Sequence, residues 1–180
     1  MSEYASLTFG SLYAIIRLST KLTQILPNHE GFIMWVSSKG EYGLRALFDL
    51  AHHYGRGPVH AKEISRRQSI PEPYLSQLLI ILRKAGLITS RRGPQGGHSL
   101  ARPPAEINLA EVIAILEGTT APVSCVEKEV RSDCLLKDQC VLQDMWHEVK
   151  QAIDGVLGTT TLEDLRQRDI RRAGRAMYYI

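Results

Sequence analysis

The stretch that most constrains this chain is Ala61–Arg102. Ile70-Pro71-Glu72-Pro73 cannot lie inside a helix, because proline lacks the amide hydrogen and clashes with the preceding turn, yet it suits a first helical turn. It therefore separates a short helix predicted over Ala61–Gln68 from a second helix that begins at the prolines. The second helix places Leu75, Leu78, Leu79 and Leu82 on one face, and Gly86 stops it. Tyr74, Ser76, Gln77, Arg83 and Lys84 fall off that stripe and are expected to face outward. Leu87–Arg92, the tip Gly93-Pro94-Gln95-Gly96-Gly97 and His98–Ala101 then read as strand, turn, strand. Upstream, Leu44, Leu47, Phe48 and Ala51 recur at helical spacing from Ser38 until Gly55-Arg56-Gly57-Pro58 breaks the pattern. Helix, helix, turn, helix, hairpin, with linkers this short, is the order of a winged helix-turn-helix.

Charge singles out the same stretch. Lys62, Arg66, Arg67, Arg83, Lys84, Arg91, Arg92 and Arg102 face only Glu63 and Glu72, a local balance of +6, whereas the remainder of the chain carries −3. A basic segment on a mildly acidic remainder is the electrostatic footprint of a nucleic-acid-binding module. Ser76 and Gln77 supply hydrogen-bonding groups near the start of the helix that follows the prolines, where base edges are read. Arg91 and Arg92 lie on the wing, and Gly93, Gly96 and Gly97 allow a tight tip that approaches a backbone closely. The competing reading is a solvated basic face on a winged module that binds protein.

The 44% apolar and 23% charged fractions belong to a globular chain, and no uncharged run approaches a membrane span. No signal-peptide cleavage pattern follows the first apolar stretch, and three cysteines cannot complete a disulfide framework, so a cytoplasmic location is expected. Asn108 with Glu111 is a capping-box-like start for a helix over Leu109–Gly118. From about Cys140 a long helix carries the stripe Met145, Val149, Ile153, Val156, which exceeds what one small domain covers and is expected to pair with a second copy. Thr161-Leu162-Glu163-Asp164-Leu165 is a further capping-box-like start, and residues 166–180 are expected to be a frayed basic tail. The expected fold is mainly α with a small β-hairpin wing, a winged helix-turn-helix followed by a long C-terminal dimerisation helix. The expected domains are an N-terminal extension over 1–33, the winged module over 34–104, a cysteine loop with the dimerisation helix over 105–165, and the tail.

Cys125, Cys134 and Cys140 fall within one sixteen-residue stretch beside Asp133, Lys137 and Asp138, a poor place for core residues. Thiolates in such a loop suit a metal, an iron–sulfur cluster or a redox pair, and the spacing disfavours a zinc ribbon or a thioredoxin-type motif. Three ligands leave one coordination position short of four. Catalysis ranks last. Cys125, His147 and Asp144 form a nucleophilic set only on paper, and no phosphate loop, nucleophile elbow or dinucleotide fingerprint occurs, so neither an enzyme nor a small-molecule substrate is expected.

Three motifs together carry a resemblance. Ser38-Lys39-Gly40-Glu41-Tyr42-Gly43-Leu44-Arg45-Ala46-Leu47, Ile70-Pro71-Glu72-Pro73-Tyr74-Leu75-Ser76-Gln77-Leu78-Leu79 and Arg92-Gly93-Pro94-Gln95-Gly96-Gly97-His98 resemble the Rrf2 family of bacterial transcription regulators. The cysteine triad is similar to that of the family's iron–sulfur members. The resemblance implies a homodimer on a double-stranded DNA operator, with the long helix crossing its mate. It also implies an iron–sulfur cluster on Cys125, Cys134 and Cys140, 2Fe–2S in preference to 4Fe–4S. Members with a histidine fourth ligand have Cys-x-x-His at the third cysteine, where this chain has Gln143. Others use a carboxylate near the start of the first helix, a position that corresponds to Glu41 of the partner subunit. Glu41 equally reads as a first-turn carboxylate that favours the helix dipole. The implied function is a repressor or dual regulator whose operator affinity follows iron, redox state or nitric oxide; the alternative is a cluster-free member that responds through thiol oxidation or a partner protein. The resemblance runs from Met34, as a native start would, so 1–33 is expected to be either an upstream extension of the reading frame or a flexible arm.

Overall fold

Helix α1, Ser38–His52, starts where Ser37 folds back on it, its Oγ accepting from the amides of Lys39 at 3.1 Å and Gly40 at 3.4 Å. The same serine donates its own N–H and hydroxyl to Glu117 Oε1, at 3.1 and 2.8 Å, so the cap also fastens α1 to a helix eighty residues away. The computed structural model describes residues 36–127 and 140–176, and the N-terminal extension expected over 1–33 lies outside them.

Helices α2, Ala61–Gln68, and α3, Glu72–Lys84, follow, then an antiparallel hairpin of β1, Ile88–Arg91, and β2, Gly97–Leu100. A short 3-10 turn at Pro104–Glu106 leads into α4, Leu109–Glu117, and a second at Ser124–Val126 carries Cys125. Helices α5, Val141–Thr159, and α6, Leu162–Ala176, complete the described residues. The fold is thus mainly helical with a two-stranded wing, as expected.

The core is built where α1 meets the winged module. Leu47 and Leu50 of α1, Ile64 of α2, Leu75, Leu78 and Leu82 of α3, Ile88 of β1 and Leu116 of α4 are all buried. Of the apolar positions spaced along α1 in sequence, Leu47 and Ala51 are buried and Leu44 and Phe48 half-buried, Leu44 packing against the core; burial also takes in Gly40, Gly43, Ala46, Asp49 and Leu50. The reason is that α1 packs against α2, α3, α4 and α6, so its buried surface is broader than one stripe. Gly43 permits the close crossing with α4, since a Cβ there would lie 2.5 Å from Leu116 Cδ1.

The Asn108 side chain accepts from the Glu111 amide at 2.9 Å and so caps α4, but the Glu111 carboxylate pairs with Arg102 instead of closing the box. Thr161 and Asp164 do form a reciprocal box: the Asp164 amide donates to Thr161 Oγ1 at 3.1 Å, and Asp164 Oδ2 accepts from the Thr161 amide at 2.9 Å. The segment expected to fray from residue 166 is instead helical to Ala176. Its reason is tertiary: α6 packs on α1, where Asp169 Oδ2 lies 3.3 Å from His52 Nε2, and Leu162 is fully buried. Residues 177–180 lie outside the described residues.

Candidate nucleic-acid interface and cysteine site

The turn between α2 and α3 is held by side chain and backbone together. Ser65 Oγ donates to the Ile70 carbonyl at 2.7 Å, the Ile70 amide donates to the Ser65 carbonyl at 3.0 Å, and Ser69 adopts a left-handed conformation with φ 52°. This fixes α3 with Leu75, Leu78, Leu79 and Leu82 inward. Ser76, Gln77, Ile80, Arg83 and Lys84 are exposed on its outer side. Tyr74 is half-buried, its ring edge-on to Tyr42 with centroids 5.8 Å apart, so it braces α3 against α1. The Ser76 hydroxyl donates to the Glu72 carbonyl at 3.0 Å, which leaves its oxygen to act as an acceptor.

The wing pairs Ile88 with Leu100, Thr89 with Ser99, Ser90 with His98 and Arg91 with Gly97. Val59 extends it, exchanging backbone hydrogen bonds of 2.9 and 2.8 Å with His98. Gly97 makes that approach possible: its φ is +143°, and a Cβ would meet the Val59 carbonyl oxygen at 2.5 Å. Gly93, with φ +111°, turns the tip, and Arg91 and Arg92 stand exposed beside it. His98 Nδ1 shares a 2.9 Å hydrogen bond with Ser90 Oγ. Burial pushes the His98 imidazole below its ordinary value, and the charges of Arg83 and His60 push the same way, which favours the neutral ring.

Two of the eight basic residues counted from sequence are taken up internally. Arg67 donates to both oxygens of Asp49 at 2.8 Å and lies 3.6 Å from Glu63, while Arg102 pairs with Glu111. Burial raises the Asp49 carboxyl, but the hydrogen bonds from Arg67 and Gln68 outweigh it and hold that group below the usual aspartate value. Lys62, Arg66, Arg83, Lys84, Arg91 and Arg92 form no ion pair among the described residues. These six cations sit on α2, the end of α3 and the wing, where phosphates flank a groove-bound helix. Sequence counting missed the Asp49–Arg67 pairing because it joins residues eighteen positions apart.

Cys125 and Cys140 are both half-buried free thiols. Cys125 sits on its 3-10 turn next to the buried Val126, and Cys140 occupies the N-cap of α5. Gln143 joins them: its backbone N–H donates to the Cys140 carbonyl at 3.0 Å and its side-chain amide to the Cys125 carbonyl at 3.2 Å. Thr120 Oγ1 adds a second tie from this loop to α5, donating to Asp154 Oδ1 at 2.6 Å, and Lys150 pairs with the same carboxylate. Cys134 lies outside the described residues. Among the described residues no three histidine, cysteine or carboxylate side chains converge on one point. Free thiols are nevertheless the donor type that iron–sulfur clusters take, so Cys125 and Cys140 fit such a group chemically. Glu41 is exposed on the first turn of α1 and accepts from Arg45 Nη1 at 3.3 Å. His147 is exposed on α5.

Helix α5 buries none of its nineteen residues, and Val141, Leu142 and Val156 are 79%, 64% and 65% exposed. Met145 is exposed, whereas Val149 and Ile153 are half-buried. No helix among the described residues is long and apolar enough to cross a membrane.

A turn-linked helix pair with a hairpin wing and a cationic outer surface defines a winged-helix DNA-binding protein. The model of the Rrf2 family, described as an iron-dependent transcriptional regulator, matches residues 36–168, and the chain belongs to that family. It is 36% identical over 147 residues to the HTH-type transcriptional regulator CymR of Bacillus subtilis, across 82% of this chain and 100% of that protein. It is 39% identical over 132 residues to the HTH-type transcriptional regulator IscR of Xenorhabdus nematophila, across 73% of this chain and 79% of that one. Among solved structures, CymR, the global cysteine regulator of B. subtilis, superposes with a TM-score of 0.63 at 37% identity, covering 74% of this chain and 97% of that one. T. potens IscR superposes with a TM-score of 0.61 at 42% identity, covering 75% and 88%. The chain is therefore a DNA-binding transcriptional regulator and not an enzyme.

Proposed function

We propose that this chain is a cytoplasmic, homodimeric regulator, acting as a repressor, whose operator affinity is gated by an iron–sulfur cluster on Cys125, Cys134 and Cys140. The observation that carries the reading is the double hydrogen bond of Gln143, which holds the backbone beside Cys125 to the start of α5 at Cys140. A bound cluster supplies reversible redox and ligand-exchange chemistry that responds to oxidants, nitric oxide and iron supply. Cys125, Cys134 and Cys140, as thiolates, would hold it. The fourth ligand is Glu41 of the partner subunit or a residue near Cys140. A cluster shared by these cysteines beside the start of α5 would bias the spacing of two winged modules across the dimer, and so the operator-competent population.

At the DNA, α3 would enter the major groove with Ser76 and Gln77 toward base edges and Tyr74 bracing the helix. Arg83 and Lys84, with Arg91 and Arg92 on the wing, would neutralise phosphates, and Gly93, Gly96 and Gly97 would let the tip approach closely. The α5 stripe of Met145, Val149, Ile153 and Val156 would form the interface between copies, its half-exposed positions covered by the mate. The second reading, a thiol-oxidation switch without a cluster, is favoured by Cys125 and Cys140 both being half-buried free thiols, with Gln143 bonded to the backbone of each. Anaerobic purification followed by iron and acid-labile sulfide determination decides between them. A brown protein with stoichiometric iron and sulfide supports gating by a cluster. A colourless, iron-free protein in which Cys125 and Cys140 oxidise to a disulfide supports the second reading.

A further inference from the structure

Ile80 is 47% exposed in the middle of the outward side of α3. It follows Ser76 and Gln77 by one helical turn and precedes Arg83 and Lys84 by one turn, and all four of these are polar or charged and exposed. We infer that Ile80 is a specificity-determining residue that packs on the 5-methyl group of a thymine in each operator half-site. The inference rests on the DNA-binding assignment of α3 and extends it to a particular base.

The chemistry of the surface argues for this. Base edges in the major groove present hydrogen-bonding atoms and one apolar group, the thymine methyl. The outward side of α3 has the matching inventory: an acceptor at Ser76, an amide at Gln77 with no hydrogen-bond partner among the described residues, and one branched aliphatic at Ile80. The cations around it, Arg83 and Lys84 on the same helix and Arg91 and Arg92 on the wing, commit this surface to a polyanion rather than to an apolar protein partner. Three residues of helix rise about 4.5 Å, and stacked base pairs are about 3.4 Å apart. The thymine is therefore expected within two base pairs of the base that Gln77 contacts.

The test uses full-length protein and duplexes that it selects from a random pool, with each thymine of the half-site replaced in turn by uracil, which removes only the methyl group. Wild type is expected to bind about fourfold more weakly at one thymine-to-uracil position, the effect of one buried methyl. Ile80→Ala is expected to bind the thymine and uracil duplexes equally, while Ile80→Val keeps most of the difference. Circular dichroism and thermal melting confirm that both variants are folded, as the exposure of the site implies. Wild type that is indifferent to uracil at every position, or Ile80→Ala that keeps the full discrimination, would overturn the assignment while leaving DNA binding intact. Failure of the wild type to select any duplex would overturn the reading of α3 itself, and this role with it.

Discussion

Gln143 Nε2 donates to the carbonyl of Cys125 at 3.2 Å across eighteen residues of chain, and the Gln143 amide donates to Cys140 three positions back. A single residue thereby organises the backbone at two of the three cysteines. Gln143→Leu removes the longer-range tie and leaves the Cys125 carbonyl without its donor, a local cost of about 0.5–1.5 kcal/mol. Cys125 in that variant is expected to react severalfold faster with a thiol reagent under reducing, metal-free conditions, with Cys140 little changed. Equal labelling rates in variant and wild type would show that the hydrogen bond does not hold the loop.

The Asp49–Arg67 pair clamps α1 to α2 with a carboxylate that is only 3% exposed. Removing the guanidinium in Arg67→Ala leaves the buried carboxylate with only the Gln68 amide and the His53 ring beside it and is expected to destabilise the fold by about 3 kcal/mol in chemical denaturation. The Asp49 carboxyl is lower in the folded state than its ordinary value, so the unfolded chain binds its proton more readily. That contribution is complete above the ordinary aspartate range and is lost as the pH falls through it to the depressed folded value. The stability difference between wild type and Asp49→Asn should therefore shrink on acidification, and a difference that grew instead would contradict the assignment.

The elements of the winged module are legible in the sequence because each has a local cause. Pro71 and Pro73 start α3, four leucines fix its buried side, Gly86 ends it, and glycines build the wing tip. What was not legible is tertiary. The buried side of α1 spreads to Gly43 and Ala46 because four helices pack on it, and no periodicity rule encodes that. Arg67 and Arg102 count as DNA-facing charge until Asp49 and Glu111 are found beside them. The helix after Thr161 reads as a basic tail until α1 gives it a surface to cover. The cysteines are visible in the sequence, but the Gln143 bond to the Cys125 carbonyl, eighteen positions away, is not; Cys134 lies outside the described residues.

Arg92, exposed on the wing and unpaired among the described residues, is expected to contribute directly to affinity. Arg92→Ala should weaken binding to a selected duplex by about 1–3 kcal/mol if the guanidinium contacts a base in bidentate fashion. If it grips phosphate, affinity should fall for all duplexes and the salt slope should drop by about one charge. Fluorescence anisotropy across a salt series distinguishes the two, and unchanged affinity and slope would remove Arg92 from the interface.

Helix α5 is expected to self-associate through Met145, Val149, Ile153 and Val156. Sedimentation should give a dimer at micromolar concentration, and Val149→Glu with Ile153→Glu should give a folded monomer with much reduced operator affinity. A wild-type monomer would count against the paired-module architecture.

The most direct test is the operator affinity of anaerobically isolated protein compared with the variant carrying serine at Cys125, Cys134 and Cys140, measured on one selected duplex without oxygen. Cluster gating predicts that wild type contains iron and sulfide, that the variant contains neither yet stays a folded dimer, and that their affinities differ by at least tenfold, a shift of about 1.4 kcal/mol. Identical affinities for an iron-loaded wild type and the triple serine variant would contradict it.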